Sequence, residues 1–162
     1  TNDPAKNLPT IEESYLELVN ATFGTQKTLD DLLDESERCY LLHKLINLRQ
    51  GFGTRDHDTI PLRAMAPVYM NEFQSRKAYY EAYLRDVMKA DPSSMTDQEM
   101  LAELQAFRIS QYERLTDKVY EAKGYDRNSI PLDETLERLE MTDRAYVKIV
   151  QDARERVKAR AN

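Results

Sequence analysis

Apolar residues recur at spacings of three and four along most of the chain, and nowhere does a period of two persist long enough for a strand. This pattern is what most restricts the fold, because a helical stripe cannot be laid flat in a sheet without turning half its apolar side chains outward. From Leu29 to Arg49 the stripe takes in Leu29, Leu32, Leu33, Cys39, Leu42, Leu45 and Ile46. Thr10 with Glu13 and Thr96 with Glu99 form Thr-x-x-Glu capping boxes, in which each side chain bonds the other residue's backbone N–H. Thr28, followed by Asp30 and Asp31, opens the long helix where the positive end of the dipole favours acids. Further helices are expected from Ile11 to about Gly24, from Val68 to about Ala90, from Thr96 to Gly124, from Leu132 to Glu140, and after Thr142. The expected architecture is all-α: an irregular bundle of about six or seven helices, read as one helical domain over residues 1–162. Residues 1–9, polar with two prolines, read as an extended lead-in.

Two punctuations stand out. Gly51 falls just past a helix end, where a left-handed C′ residue favours glycine. Residues 51–67 then break the pattern in a long loop holding two of the four glycines and two of the six prolines. A loop of this length inside a compact domain often carries function.

Charge is uneven although the chain as a whole carries −6. Residues 1–37 hold nine acids against two bases, whereas residues 38–63 hold five bases against two acids, with both histidines. One reading makes the loop an anion-facing or partner-facing element, with Arg49, Arg55 and Arg63 as forked donors and Gly51 and Gly53 allowing close approach. The other has Arg55 pair with Asp58, or with neighbouring backbone, to pin the loop. His57 between Asp56 and Asp58 has the makings of an oriented general base or a weak metal site. Adjacent residues rarely converge on one ion, which argues against the metal. His43 reads as a packed or partly exposed helical histidine, and Cys39 as a buried, unreactive small hydrophobe on the stripe. One cysteine forms no internal disulfide and cannot by itself hold an iron–sulfur cluster. Tyr69 to Tyr83, with Arg76, Lys77 and Arg85, reads either as an amphipathic helix with large core residues or as a stacking platform for single strands. The acidic balance favours the former and argues against nucleic acid as a partner. No apolar run is long enough to span a bilayer. The chain is expected to be cytoplasmic.

The segment Glu37 to Phe52 and the loop Thr54 to Arg63 resemble the C-terminal domain of the aldehyde ferredoxin oxidoreductase family, the tungsten–pterin enzymes. The residues that match are Glu37, Arg38, Asn47, Arg49, Gly51, Phe52, Arg55, Asp58, Pro61 and Arg63, followed by Tyr120, Gly124, Tyr125, Asp126, Ile130, Pro131 and Leu136. His57 stands where the family usually has an Asp, and Cys39 where it has an aliphatic residue. Residues 68–106 look like a lineage-specific helical enlargement between the two blocks. The resemblance implies the C-terminal fragment of a larger enzyme whose tungsten bis-pterin and [4Fe–4S] cofactors lie in upstream domains, with neither metal nor cofactor ligands in this chain. It implies oxidation of an aldehyde to a carboxylic acid, with electrons passing to ferredoxin or a partner subunit. This chain would help wall the cofactor cleft, its interdomain loop formed by Arg49, Gly51, Arg55, His57, Asp58, Pro61 and Arg63, with no catalytic residue of its own. The competing reading is a free-standing helical protein-interaction module without catalytic role. The fragment reading expects an exposed apolar patch; the module reading expects a well-charged surface throughout.

Overall fold

A computed structural model of the chain describes residues 10–161; the lead-in expected at 1–9 lies outside them. The described residues are all-α, with no strand among them and an isolated antiparallel bridge between Tyr125 and Pro131. The helices are α1 (Ile11–Phe23), α2 (Leu29–Arg49), α3 (Leu62–Met65), α4 (Met70–Ser75), α5 (Lys77–Asp86), α6 (Asp97–Lys123), α7 (Asp133–Arg138) and α8 (Arg144–Ala161). Single 3₁₀ turns occupy Arg55–His57 and Pro92–Ser94. The described residues divide into two compact units, one formed by residues 10–52 with 133–161 and the other by residues 53–132.

In the first unit α2 packs along α8, and α1 lies against α2. The buried residues of α2 are Leu41, Leu45 and Leu48, and those of α8 include Val150 and Ala153. This shifts the stripe expected for α2. Leu29, Leu33, Leu42 and Ile46 are exposed, and so is Cys39, contrary to its expected place in the core. Both choices fit a helical period; the difference is a rotation of the helix that only its neighbour α8 fixes. His43 is exposed as well. Polar ties join α2 to α7 and its exit: Arg38 Nε donates to the Leu139 carbonyl at 2.9 Å, and Arg138 pairs with Asp34 and Glu37. The last helix is capped by Asp143, which accepts from the Ala145 N–H at 2.8 Å, rather than by Thr142.

Thr10 with Glu13, Thr28 with Asp31 and Thr96 with Glu99 all close as reciprocal capping boxes. Gly51 is at C′ as expected, at φ +90°. Its N–H reaches the Leu48 carbonyl at 3.0 Å while the Phe52 N–H reaches Asn47 at 2.9 Å, the paired bonds of a Schellman end.

The second unit gathers α3, α4 and α5 against the long α6. Its core is Phe73, Leu84, Met100, Leu101 and Leu104, with Tyr80 and Tyr83 packed on it. The single helix expected from Val68 to Ala90 is in fact broken at Arg76 and ends at Asp86. Ser75 Oγ donates to the Glu72 carbonyl at 2.7 Å, a side-chain bond that competes with helix continuation. Lys89 then sits at φ +59°, outside the helical region.

Candidate functional site

The loop entering the second unit is bolted to one face of α6. Thr54 is buried; its hydroxyl contacts Asp56 and lies 3.0 Å from His57 Nδ1, which holds the 3₁₀ turn Arg55–His57. Arg55 points along α6, where it pairs with Glu113 and, at 2.6 Å, with Asp117, and donates to the Arg127 carbonyl at 3.1 Å. These carboxylates raise its pKa further above the ordinary guanidinium value. Its guanidinium also lies 5.6 Å from the centre of the Tyr120 ring.

Asp58 is tied to the same face by different bonds. Its Oδ2 accepts from the Tyr120 hydroxyl at 2.9 Å and from the buried Ser129 hydroxyl at 2.6 Å, and its carbonyl accepts from the Tyr112 hydroxyl at 2.6 Å. Burial above all, aided by the bond to Asp58, pushes the Tyr120 hydroxyl up to about 12. The Arg55 and Asp58 side chains thus clamp the loop through α6 and the turn behind it rather than by pairing with each other, correcting the expected i+3 side-chain pair. Behind them the turn 125–131 is wound on Asp126, which accepts from the Asn128 and Ile130 N–H groups at 2.8 and 2.9 Å.

The remaining candidates are placed less centrally. Asp56 lies 3.4 Å from His57 Nδ1, an orienting contact on a histidine that Thr54 also engages. Pro61 caps the one-turn α3, and Arg63 pairs with Glu72 at 2.6 Å while remaining largely exposed. Arg49 is exposed in the last turn of α2, and Gly51 ends that helix. No group of three His, Cys, Asp or Glu among the described residues is placed to hold a metal ion. With one cysteine in the chain, its residues do not fit a [4Fe–4S] cluster.

Sequence reasoning missed Tyr112, Glu113, Asp117 and Ser129. A signal for three of them existed. Tyr112, Glu113, Asp117 and Tyr120 recur at helical spacing, so one face of α6 offers two carboxylates and two hydroxyls to any basic loop laid across it. Ser129 carried no such signal, since its φ of +65° and its burial arise from the turn.

A long helix ending in a glycine cap, followed by an Arg/Asp loop clamped on α6 and the Gly-Tyr-Asp turn behind it, defines the class: an all-α helical protein. The family model for aldehyde ferredoxin oxidoreductase, domains 2 and 3, matches residues 5–141, and the chain belongs to that family. Neither the curated proteins nor the solved structures yield a significant match.

Proposed function

We propose that this chain is a helical domain of a tungsten–pterin, iron–sulfur oxidoreductase that oxidises an aldehyde to a carboxylic acid in the cytoplasm. The observation that carries this reading is the family match over residues 5–141. Water supplies the added oxygen, and the two electrons leave to ferredoxin or a partner subunit through cofactors held by other domains of the enzyme. This chain's own part is to wall the cofactor cleft. The clamp of Arg55 and Asp58 on α6 supports a rigid wall, and exposed Arg49 and Arg63 are the residues left to face the cofactor-bearing domains. We take residues 68–106 as an enlargement within this one domain of the enzyme.

The surface of the first unit is in keeping with this. Helix α1 buries none of its residues; Ile11 is 86%, Leu18 64% and Phe23 74% exposed. An isolated module would leave such side chains in water at roughly 1.5–3 kcal/mol each of unrealised burial, whereas a wall piece covers them against its neighbours.

The test is to purify the endogenous protein anaerobically and assay aldehyde-dependent dye reduction alongside tungsten and iron content. The expected outcome is an assembly larger than 18.9 kDa that contains both metals and reduces dye. An endogenous metal-free monomer without activity would favour the interaction module instead.

A further inference from the structure

The second unit carries a groove to which the end of the loop, Arg63 to Pro67, contributes one wall. It measures about 540 Å³ and lies between α3, α4, α5 and α6, within the roughly 300–1,000 Å³ usual for small-molecule sites. Arg63, Arg76 and Arg108 line it against a single carboxylate, Glu72. Arg63 is partly neutralised by that carboxylate at 2.6 Å, and Arg108 lies over the Tyr83 ring at 4.3 Å. The Arg76 guanidinium makes no hydrogen bond or ion pair among the described residues. With Glu72 engaged by Arg63, the groove's lining keeps a surplus of guanidinium charge.

Aromatic rings complete the wall. Tyr80 stacks on buried Phe73 with centroids 5.4 Å apart and planes 13° apart, and Tyr79 meets Tyr80 edge-on at 5.3 Å. Tyr79, which also meets the Tyr83 ring at 6.5 Å, is 58% exposed as a residue and lines the groove beside the arginines.

We propose that this groove binds a small phosphate monoester bearing a planar ring, of nucleotide size. Its excess of two positive charges matches a phosphate monoester, which carries about −1.5 to −2 at neutral pH. Forked guanidinium donors suit phosphate oxygens, and the ring would pack on Tyr79. A nucleic-acid strand fits less well: residues 53–132 hold 13 acids against 11 bases, so the basic excess is local to the groove and offers no track for a backbone.

Calorimetric titration of the 162-residue chain with AMP tests this, with adenosine and inorganic phosphate as controls. AMP is expected to bind saturably at one site, at least tenfold more tightly than either control. Arg76→Ala is expected to weaken AMP about tenfold or more without moving the melting temperature, because that side chain supports nothing in the fold. Tyr79→Ala should weaken AMP and leave phosphate unchanged. Absence of saturable AMP binding at millimolar concentration, or an affinity unchanged in a folded Arg76→Ala chain, overturns the proposal. An oligothymidylate that binds more tightly than AMP also overturns it, in favour of a single-strand platform.

Discussion

Arg55 has the kind of side chain that sequence inspection assigns to a ligand, yet both its ion-pair partners are acids of the same unit. Its side chain is 27% exposed, so the two pairs are only partly screened by water. Charged hydrogen bonds of this kind contribute about 1.5–3 kcal/mol, and Arg55→Ala is expected to lower unfolding stability by about 2 kcal/mol. Urea titration of the variant measures this, and a loss near the ~0.5 kcal/mol of an exposed pair would show the clamp to be dispensable. Cys39 makes the reverse point. Lying exposed on α2, it should react with a thiol reagent in native buffer at a rate near that of the unfolded chain. Protection by orders of magnitude would place it back in a core.

The ends of elements were more legible than their faces. Capping needs only a hydroxyl, an acid three residues later and a glycine at C′, all local, so the Thr10 and Thr96 boxes and the Gly51 cap could be read directly. A Cβ built on Gly51 would meet nothing within 4 Å, so the cost of Gly51→Ala is backbone strain alone, about 1 kcal/mol. Gly51→Asn should lose less, since Asn tolerates the left-handed region; thermal melts of the two variants provide the comparison. Equal losses would mean that something other than φ fixes the residue.

Over the whole molecule, charge and hydrogen bonding set the response to pH. Asp31, Glu72, Asp91, Asp97 and Glu99 all titrate below their ordinary values. Asp31, Glu72 and Glu99 do so first through backbone N–H groups or capping threonines, Asp91 through Ser93 and Asp97 through Lys77. Groups lowered in the folded state bind more protons when unfolded, so their stabilisation is complete above the ordinary carboxylate range and is lost as pH falls through their folded values. The melting temperature should therefore hold from about pH 7 to 5 and fall below about pH 4. Tyr120 acts at the other limb. Raised to about 12, its hydroxyl contributes fully below the ordinary tyrosine value of about 10, and the contribution disappears as pH climbs through 12. Tyr120→Phe should flatten that alkaline loss; an unchanged alkaline limb would contradict the burial of the hydroxyl.

The sequence by itself determined the helical class, the capping boxes, the glycine ends and the family, because each depends on local spacing or on residues near one another in the chain. Leu45 was on the expected stripe and is buried, but tertiary structure alone decided the rest of the buried face of α2, since Leu42 and Ile46 fit a helical stripe with Leu45 as well as Leu41 and Leu48 do. It also decided where Arg55 and Asp58 go. Their partners Asp117 and Ser129 lie 62 and 71 residues away, and no periodicity along a chain encodes which distant helix a loop will meet. Burial energy chose among rotations and pairings that local physics leaves nearly equal.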